Sequence, residues 1–362
     1  FAIATREQRA TKKPAGREPA YVAMEMLSSS LPETAGLYVV EDCGDELQVL
    51  SDGTIVRSSP PPAPVTDDGR VEWKDAIYDA GHSIGLRMYR PRCRDVTDTG
   101  EEEEEKKLPV LVYFHGGGFC VGSCSWPKTH AACLRLAAEL PAVVLSFDYR
   151  LAPEHRLPAA HEDAATALLW LRDQLITSDN PWLAESADSR RVFISGVSAG
   201  GSLAHHMAVR FGTAGLEPGA NVVGYILLMP GLFSAEPTQS ELDKPDSAFL
   251  TQEMFDRFFR LGMPVGATRD HPLVNPFAPD SPSLEPARVG RMLVVAAELD
   301  FFRDRNVEYA ERMKAMSKDV ELVVFAGQDH GFFGMDPASD ADGELVRVLR
   351  RFMWRNRNVN LD

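Results

Sequence analysis

The chain has no apolar run long enough to cross a bilayer as a helix. Its longest apolar stretches, around Val143-Val144-Leu145 and Tyr225-Ile226-Leu227-Leu228-Met229, are strand-sized, against the roughly 20 residues a helical span requires. Cysteine is scarce. Cys43, Cys93, Cys120, Cys124 and Cys133 are odd in number and form no Cys-x-x-Cys pair. That argues against a zinc site and a full disulfide framework, and for a reducing compartment, cytoplasmic with the nucleus open as well. Basic charge is also short: 38 Lys and Arg against 53 Asp and Glu leave a net charge of −15. With no basic stripe, a nucleic-acid surface is excluded as an expectation. No His-Glu-x-x-His occurs, so His205-His206, His155 and His161 read as helix-surface or structural residues and no metal is expected. No internal repeat is evident.

What is present is a pattern of apolar strand-like runs alternating with helical segments. It begins with strands near Val71 to Tyr78 and Ile84 to Tyr89 and ends in a helix, Gly343 to Arg355. This alternation predicts an α/β fold: a mostly parallel eight-stranded sheet with helices on both faces. A length of 362 residues and 44% hydrophobic content suit one such core with a lid. Phe1 to Ala23 carries Arg6, Arg9, Lys12, Lys13 and Arg17 with little apolar periodicity. Residues 1–34 are therefore expected to be a disordered extension, with a transit segment as the alternative and Met24 or Met26 as a plausible start. Ser58 to Pro64 reads as a stiff connector and Glu101 to Glu105 as a solvated loop. The domain proper is expected over 35–362.

Between Pro230 and Pro282 the strand alternation stops, and Phe249, Met254, Phe255, Phe258, Phe259 and Leu261 recur at helical spacing. A lid built from about 35–64 and 230–282 is expected to roof a pocket. Core packing of the aromatic stripe is the alternative.

Two glycine-rich motifs carry the chemistry. Gly196-Val197-Ser198-Ala199-Gly200 follows the apolar run Arg191-Val192-Phe193-Ile194-Ser195 and precedes the helix-like stretch Ser202 to Arg210. A strained strand-to-helix turn there would present Ser198 as a nucleophile, its neighbours small because strand and helix backbones approach closely. His115-Gly116-Gly117-Gly118-Phe119 follows the run Val110-Leu111-Val112-Tyr113-Phe114. Acyl transfer needs backbone N–H donors aimed at a tetrahedral oxyanion, and Gly117, Gly118 and Ala199 are the expected donors.

A serine hydroxyl needs a base, and the base an orienting acid. In α/β-hydrolases the chain order is Ser, then Asp or Glu, then His, each on a loop after a strand. Met292 to Ala297 is followed by Glu298-Leu299-Asp300, and Val320 to Phe325 by Gln328-Asp329-His330. Asp300 is the expected acid and His330 the expected base. Asp304 and Glu298 stay as rival acids, and Asp329 could simply cap a turn. Phe119, Trp126, Phe233 and Phe258 are the candidate substrate contacts. Cys120 reads as a small buried hydrophobe, with pocket lining as the alternative.

These residues resemble the plant carboxylesterases of the hormone-sensitive-lipase-like branch of the α/β-hydrolases. The likeness covers nearly the whole chain: the His115 to Phe119 motif, Asp148 through Ala160, the Ser198 turn, Arg303-Asp304-Arg305-Asn306 and His330-Gly331-Phe332. The segments Glu41 to Thr54 and Gly266 to His271 are most similar to the subgroup that hydrolyses strigolactone hormones. The resemblance implies a cofactor-free serine esterase acting on a small-molecule ester. Two related readings stay open, a hormone receptor of the gibberellin-receptor type and a dehydratase. The oligomeric state is not implied. Two positions depart from the pattern. Val197 stands where the family usually has an acid, which leaves hydrogen bonding around Tyr149-Arg150 in question, and Ser202 stands where it often has Asn.

Overall fold

A parallel strand covered on both faces must be apolar at every position, and Leu108–Phe114 and Met292–Ala297 have that composition. In the computed structural model, which describes residues 36–60, 69–92, 107–212, 215–243, 249–335 and 339–355, both become central strands. The expected extension over 1–34, Cys93, the Glu101 to Glu105 run and the connector residues Pro61, Pro62 and Pro64 lie outside the described residues. The chain divides into an amino-terminal unit, Phe1–Tyr38, of which only 36–38 are described, and a main unit, Val39–Asp362.

The described residues of the main unit form two sheets. A small antiparallel one is formed by β1 (Val39–Asp42), β2 (Leu47–Leu50) and β3 (Ile55–Arg57). The large one contains β4 (Val71–Asp79), β5 (Ile84–Pro91), β6 (Leu108–Phe114), β7 (Val143–Phe147), β8 (Ala187–Val197), β9 (Val222–Leu228), β10 (Met292–Ala297) and β11 (Val320–Phe325). Its eight strands run in the order β11-β10-β9-β8-β6-β7-β5-β4. From β7 to β11 neighbouring strands are parallel, and β5 and β4 join antiparallel at one edge.

The helices are α1 (Pro127–Glu139), α2 (Ala159–Thr177), α3 (Pro181–Ser186), α4 (Ala199–Phe211), α5 (Gln239–Leu242), α6 (Gln252–Gly262), α7 (Arg303–Ala315) and α8 (Asp340–Trp354). Alternate residues of each central strand sort into two cores. Val110, Val112 and Phe114 of β6 pack with Leu168, Leu203 and Ala310 of α2, α4 and α7. Leu111 and Tyr113 face the other way, with Leu136 and Leu349 of α1 and α8. The period of two along a strand thus produces the two-faced sandwich. Two helices start earlier than the sequence suggested. Ser339 caps α8 by accepting from the Asp342 N–H at 3.2 Å, which adds a turn before Gly343, and α4 starts directly after Ser198 rather than at Ser202. Among the described residues no helix is long and apolar enough to cross a membrane.

Of the two readings given for the histidines, helix-surface or structural, His161 and His205 take the structural one, since they are buried, 7% and 2% exposed. α2 covers α4 and brings the ring of His161 to 4.2 Å from that of His206. His205 Nδ1 lies 2.8 Å from the Tyr309 hydroxyl. Burial, aided by the neighbouring histidines, holds His161 and His205 well below the ordinary imidazole range, and burial lowers His206 too. The folded rings therefore stay neutral where unfolded ones, near pH 6.5, take up protons. An unfolded state that binds more protons gains on the native state as pH falls, so this stability is fully present above about pH 6.5 and declines below it. The urea midpoint is expected to drop between pH 7.5 and pH 5.5, each histidine contributing up to about 1.4 kcal/mol per pH unit. An equal or higher midpoint at pH 5.5 would count against this.

Candidate active site

The carboxyl ends of β8, β10 and β11 open on one side of the sheet, where ligands of such sheets bind. At the first of them Ser198 has φ 55° and ψ −119°, a conformation L-residues avoid and which holds only where its surroundings fix it. Its N–H donates to the Leu228 carbonyl at 2.9 Å, and its own carbonyl accepts from Ser202 and Gly231. The tightness of the turn explains Gly200: a Cβ there would lie 2.1 Å from the Phe114 carbonyl oxygen. Backbone cannot yield that distance.

Ser198 Oγ is 2.9 Å from His330 Nε2, and His330 Nδ1 is 2.9 Å from Asp300 Oδ2. Asp300 is 1% and His330 6% exposed. The second oxygen of Asp300 accepts from the Phe302 N–H at 2.9 Å, so its carboxylate is held at both ends. With Nδ1–H donating to Asp300, Nε2 is left as the acceptor for the serine proton. The rival acids are engaged elsewhere. Asp304 pairs with Arg303 and accepts from the Ser240 N–H, and Glu298 accepts from the Gly327 N–H. Asp329 accepts from the N–H groups of His330 and, at 3.0 Å, Phe249.

The loop after β6 passes beside Ser198. Gly117 has φ 117°, and a Cβ on it would meet the Val121 carbonyl oxygen at 2.0 Å. The loop closes on itself through Cys120 and Val121 N–H groups donating to the Gly117 carbonyl. Gly116, Gly117, Gly118 and Ala199 line the same cavity as Ser198. The backbone N–H groups of Gly117, Gly118 and Ala199 have no hydrogen-bond acceptor among the described residues. From the small sheet, Arg57 donates to the carbonyls of Cys120 at 2.7 Å and Ala152 at 2.6 Å and pairs with Glu154. It ties β3 to the loop.

The cavity over Ser198 is about 650 Å³, within the size range of small-molecule sites. Phe119, Trp126, Phe233 and Phe258 all line it, with Phe249, Met254, Phe255 and Phe259. The stripe is shared: Leu261 instead packs with Cys43, Leu47 and Cys120 beneath the small sheet. Cys120 is fully buried. Cys43 reaches the cavity, and burial pushes its thiol up to about 11, so it stays protonated at neutral pH. Val197 also lines the cavity. Tyr149 and Arg150 find partners without an acid there, because Tyr149 donates to the His115 carbonyl and Arg150 pairs with Asp163. Sequence reasoning missed Arg57 and Lys128, since single cations in short elements leave no pattern. It also missed Phe302 and Phe333, whose approach to the cavity follows from loops. A second hollow of about 240 Å³ shares Phe233 with this cavity and contains none of Ser198, Asp300 or His330. Among the described residues no cluster of three or more His, Cys, Asp or Glu is arranged to hold a metal ion.

Residues 111–334 match a family described as having the alpha/beta hydrolase fold. The chain is 32% identical to a 2-hydroxyisoflavanone dehydratase of Glycyrrhiza echinata, over 90% of this chain and 100% of that one. It is 34% identical to a 3-O-acetylpapaveroxine carboxylesterase of Papaver somniferum, over 78% and 88%. Among solved structures it is similar to an esterase of Pyrobaculum calidifontis, with TM-score 0.62 and 31% identity over 78% of this chain and 84% of that one.

Proposed function

The chain belongs to the carboxylesterase-like branch of the alpha/beta hydrolase family, and from that premise we propose that it is a carboxylic ester hydrolase with Ser198 as its nucleophile. The observation that carries this reading is the unbroken Ser198–His330–Asp300 chain of hydrogen bonds, both 2.9 Å, opening into a largely apolar cavity beside three backbone N–H groups that have no acceptor among the described residues. In the proposed reaction His330 Nε2 takes the Ser198 proton as Oγ attacks the ester carbonyl. The N–H groups of Gly117, Gly118 and Ala199 receive the oxyanion, and His330 returns the proton to the departing alcohol. Water, activated by the same imidazole, then releases the acid. Asp300 holds the ring and stabilises the imidazolium. Phe119, Trp126, Phe233 and Phe258 contribute apolar contacts, and the segments about 35–64 and 230–282 act as the lid. No cofactor takes part.

As substrate we favour a butenolide enol ether of the strigolactone type, on the resemblance of Glu41 to Thr54 and Gly266 to His271. The apolar wall suits a compact ring system. The receptor reading needs no base, and His330 is present here within reach of Ser198. The dehydratase reading keeps the same base and donors, so products decide. The test is mass-spectrometric product analysis with aryl acetates, a strigolactone, a gibberellin and a 2-hydroxyisoflavanone. Serine-dependent release of the butenolide ring is expected. Cleavage of aryl acetates alone would discard the hormone, and retention of gibberellin without any product would discard hydrolysis.

A further inference from the structure

The wall of the main cavity is largely apolar; besides the reacting groups and the uncharged polar side chains of Cys43, Tyr113, His115 and Thr129, its lining among the described residues includes two formally charged side chains, Glu46 and Lys128. Glu46 belongs to the short turn Gly44–Glu46 leading into the small sheet. Lys128 projects from the first turn of α1, on the histidine side. Its Nζ donates to the Gly331 carbonyl at 3.1 Å and sits 5.5 Å from the centre of the Phe249 ring. The Phe249 ring in turn stacks 6.4 Å from that of His330. Lys128, Phe249 and His330 therefore form one continuous wall. Among the described residues no carboxylate lies within ion-pair distance of Lys128, and one carbonyl leaves two of its three N–H donors for other partners.

The chemistry orients a substrate against this wall. His330 Nε2 must hand its proton to the departing alcohol oxygen, so the alcohol half of the ester lies over His330 and the carbonyl oxygen lies toward the glycine loop. The residue following His330 is the one Lys128 touches. We propose that Lys128 is a specificity-determining residue that selects esters bearing an anionic oxygen on the alcohol half. This rests on the serine-esterase reading above and not on the strigolactone-type substrate, which carries no anionic oxygen. A cation at the rim of a largely apolar cavity gains from an anion that replaces water on it; Asp342, already paired with Arg135, acts on Lys128 only from beyond ion-pair distance. Its benefit falls on one half of the substrate only.

The experiment compares kcat/KM for phenyl acetate, 3- and 4-acetoxybenzoate, and monophenyl succinate in the wild type, Lys128→Met and Lys128→Arg. Acetoxybenzoates carry the carboxylate on the alcohol half and monophenyl succinate carries it on the acyl half. Lys128→Met is expected to lower the acetoxybenzoate-to-phenyl-acetate ratio about tenfold, the scale of one charge-assisted hydrogen bond. The succinate ratio should stay within about twofold, and Lys128→Arg should restore the acetoxybenzoates. An unchanged acetoxybenzoate ratio would overturn the proposal. A parallel fall for all four esters would also overturn it, since that would reduce Lys128 to a prop for the Gly331 carbonyl. Titration with 3- and 4-hydroxybenzoate against phenol gives a readout independent of turnover: about tenfold weaker hydroxybenzoate binding in Lys128→Met supports the assignment, and equal binding contradicts it. Absence of any Ser198-dependent turnover in the wild type would fault the esterase reading, while the titration still decides the role of Lys128.

Discussion

Ser198→Ala is expected to lower kcat for an aryl acetate by about 10⁵- to 10⁶-fold while leaving the thermal midpoint within a few degrees of wild type. The size of the loss follows from removing the atom that would form the acyl bond; what survives is binding and the oxyanion donors acting on water, and single deletions within such a unit cost nearly as much as removing all of it. The fold should tolerate the change because alanine keeps the Cβ already accommodated at φ 55°. The backbone bonds that pin the turn, from Ser198 to Leu228 and from Ser202 and Gly231 to Ser198, do not involve Oγ. Circular dichroism and initial rates on the same preparation check both halves. A variant that keeps wild-type turnover would remove Ser198 from the mechanism.

Asp300→Asn should cost about 10⁴-fold in kcat with KM little changed. The geometry makes the sign clear. The Phe302 N–H needs an acceptor at Oδ1, so the new amide turns its NH₂ toward His330 Nδ1. That nitrogen must then accept, the proton moves to Nε2, and the imidazole can no longer take a proton from Ser198. Asp304→Asn and Glu298→Gln supply the contrast. Their carboxylates are bound by Arg303, Ser240 and Gly327, and each change is expected to alter kcat less than about threefold. A large loss in Asp304→Asn with a small one in Asp300→Asn would reverse the assignment of the acid.

Much of this site could be read from the chain because its chemistry sits next to strands that advertise themselves. β6, β10 and the second half of β8 are buried and apolar, and the edge strand β11 is a half-buried apolar run, so the ends of all four are visible, and Gly117, Ser198, Asp300 and His330 each follow one of them. The eight-stranded sheet was legible for the same reason. The roof was less so. Phe249 to Leu261 shows its helical period, yet the period alone does not tell Phe258, which faces the cavity, from Leu261, which packs under the small sheet. That difference depends on β1 to β3, short strands with partial burial and weak alternation. His161 is buried where α2 lies over α4 and His205 where α4 meets Tyr309 of α7, contacts between elements separated in sequence. Lys128 and Arg57 act through backbone carbonyls, and carbonyl partners leave no residue pattern.

The central claim is that Ser198 is an activated nucleophile, and a fluorophosphonate tests it most directly because phosphonylation needs the base and the oxyanion donors but no knowledge of the natural ester. Intact-mass and peptide mass spectrometry after incubation with one equivalent should show a single adduct on the peptide containing Ser198, absent in Ser198→Ala and slowed in Asp300→Asn. An adduct on another residue, or an unlabelled Ser198 in protein that hydrolyses aryl acetates, would contradict it.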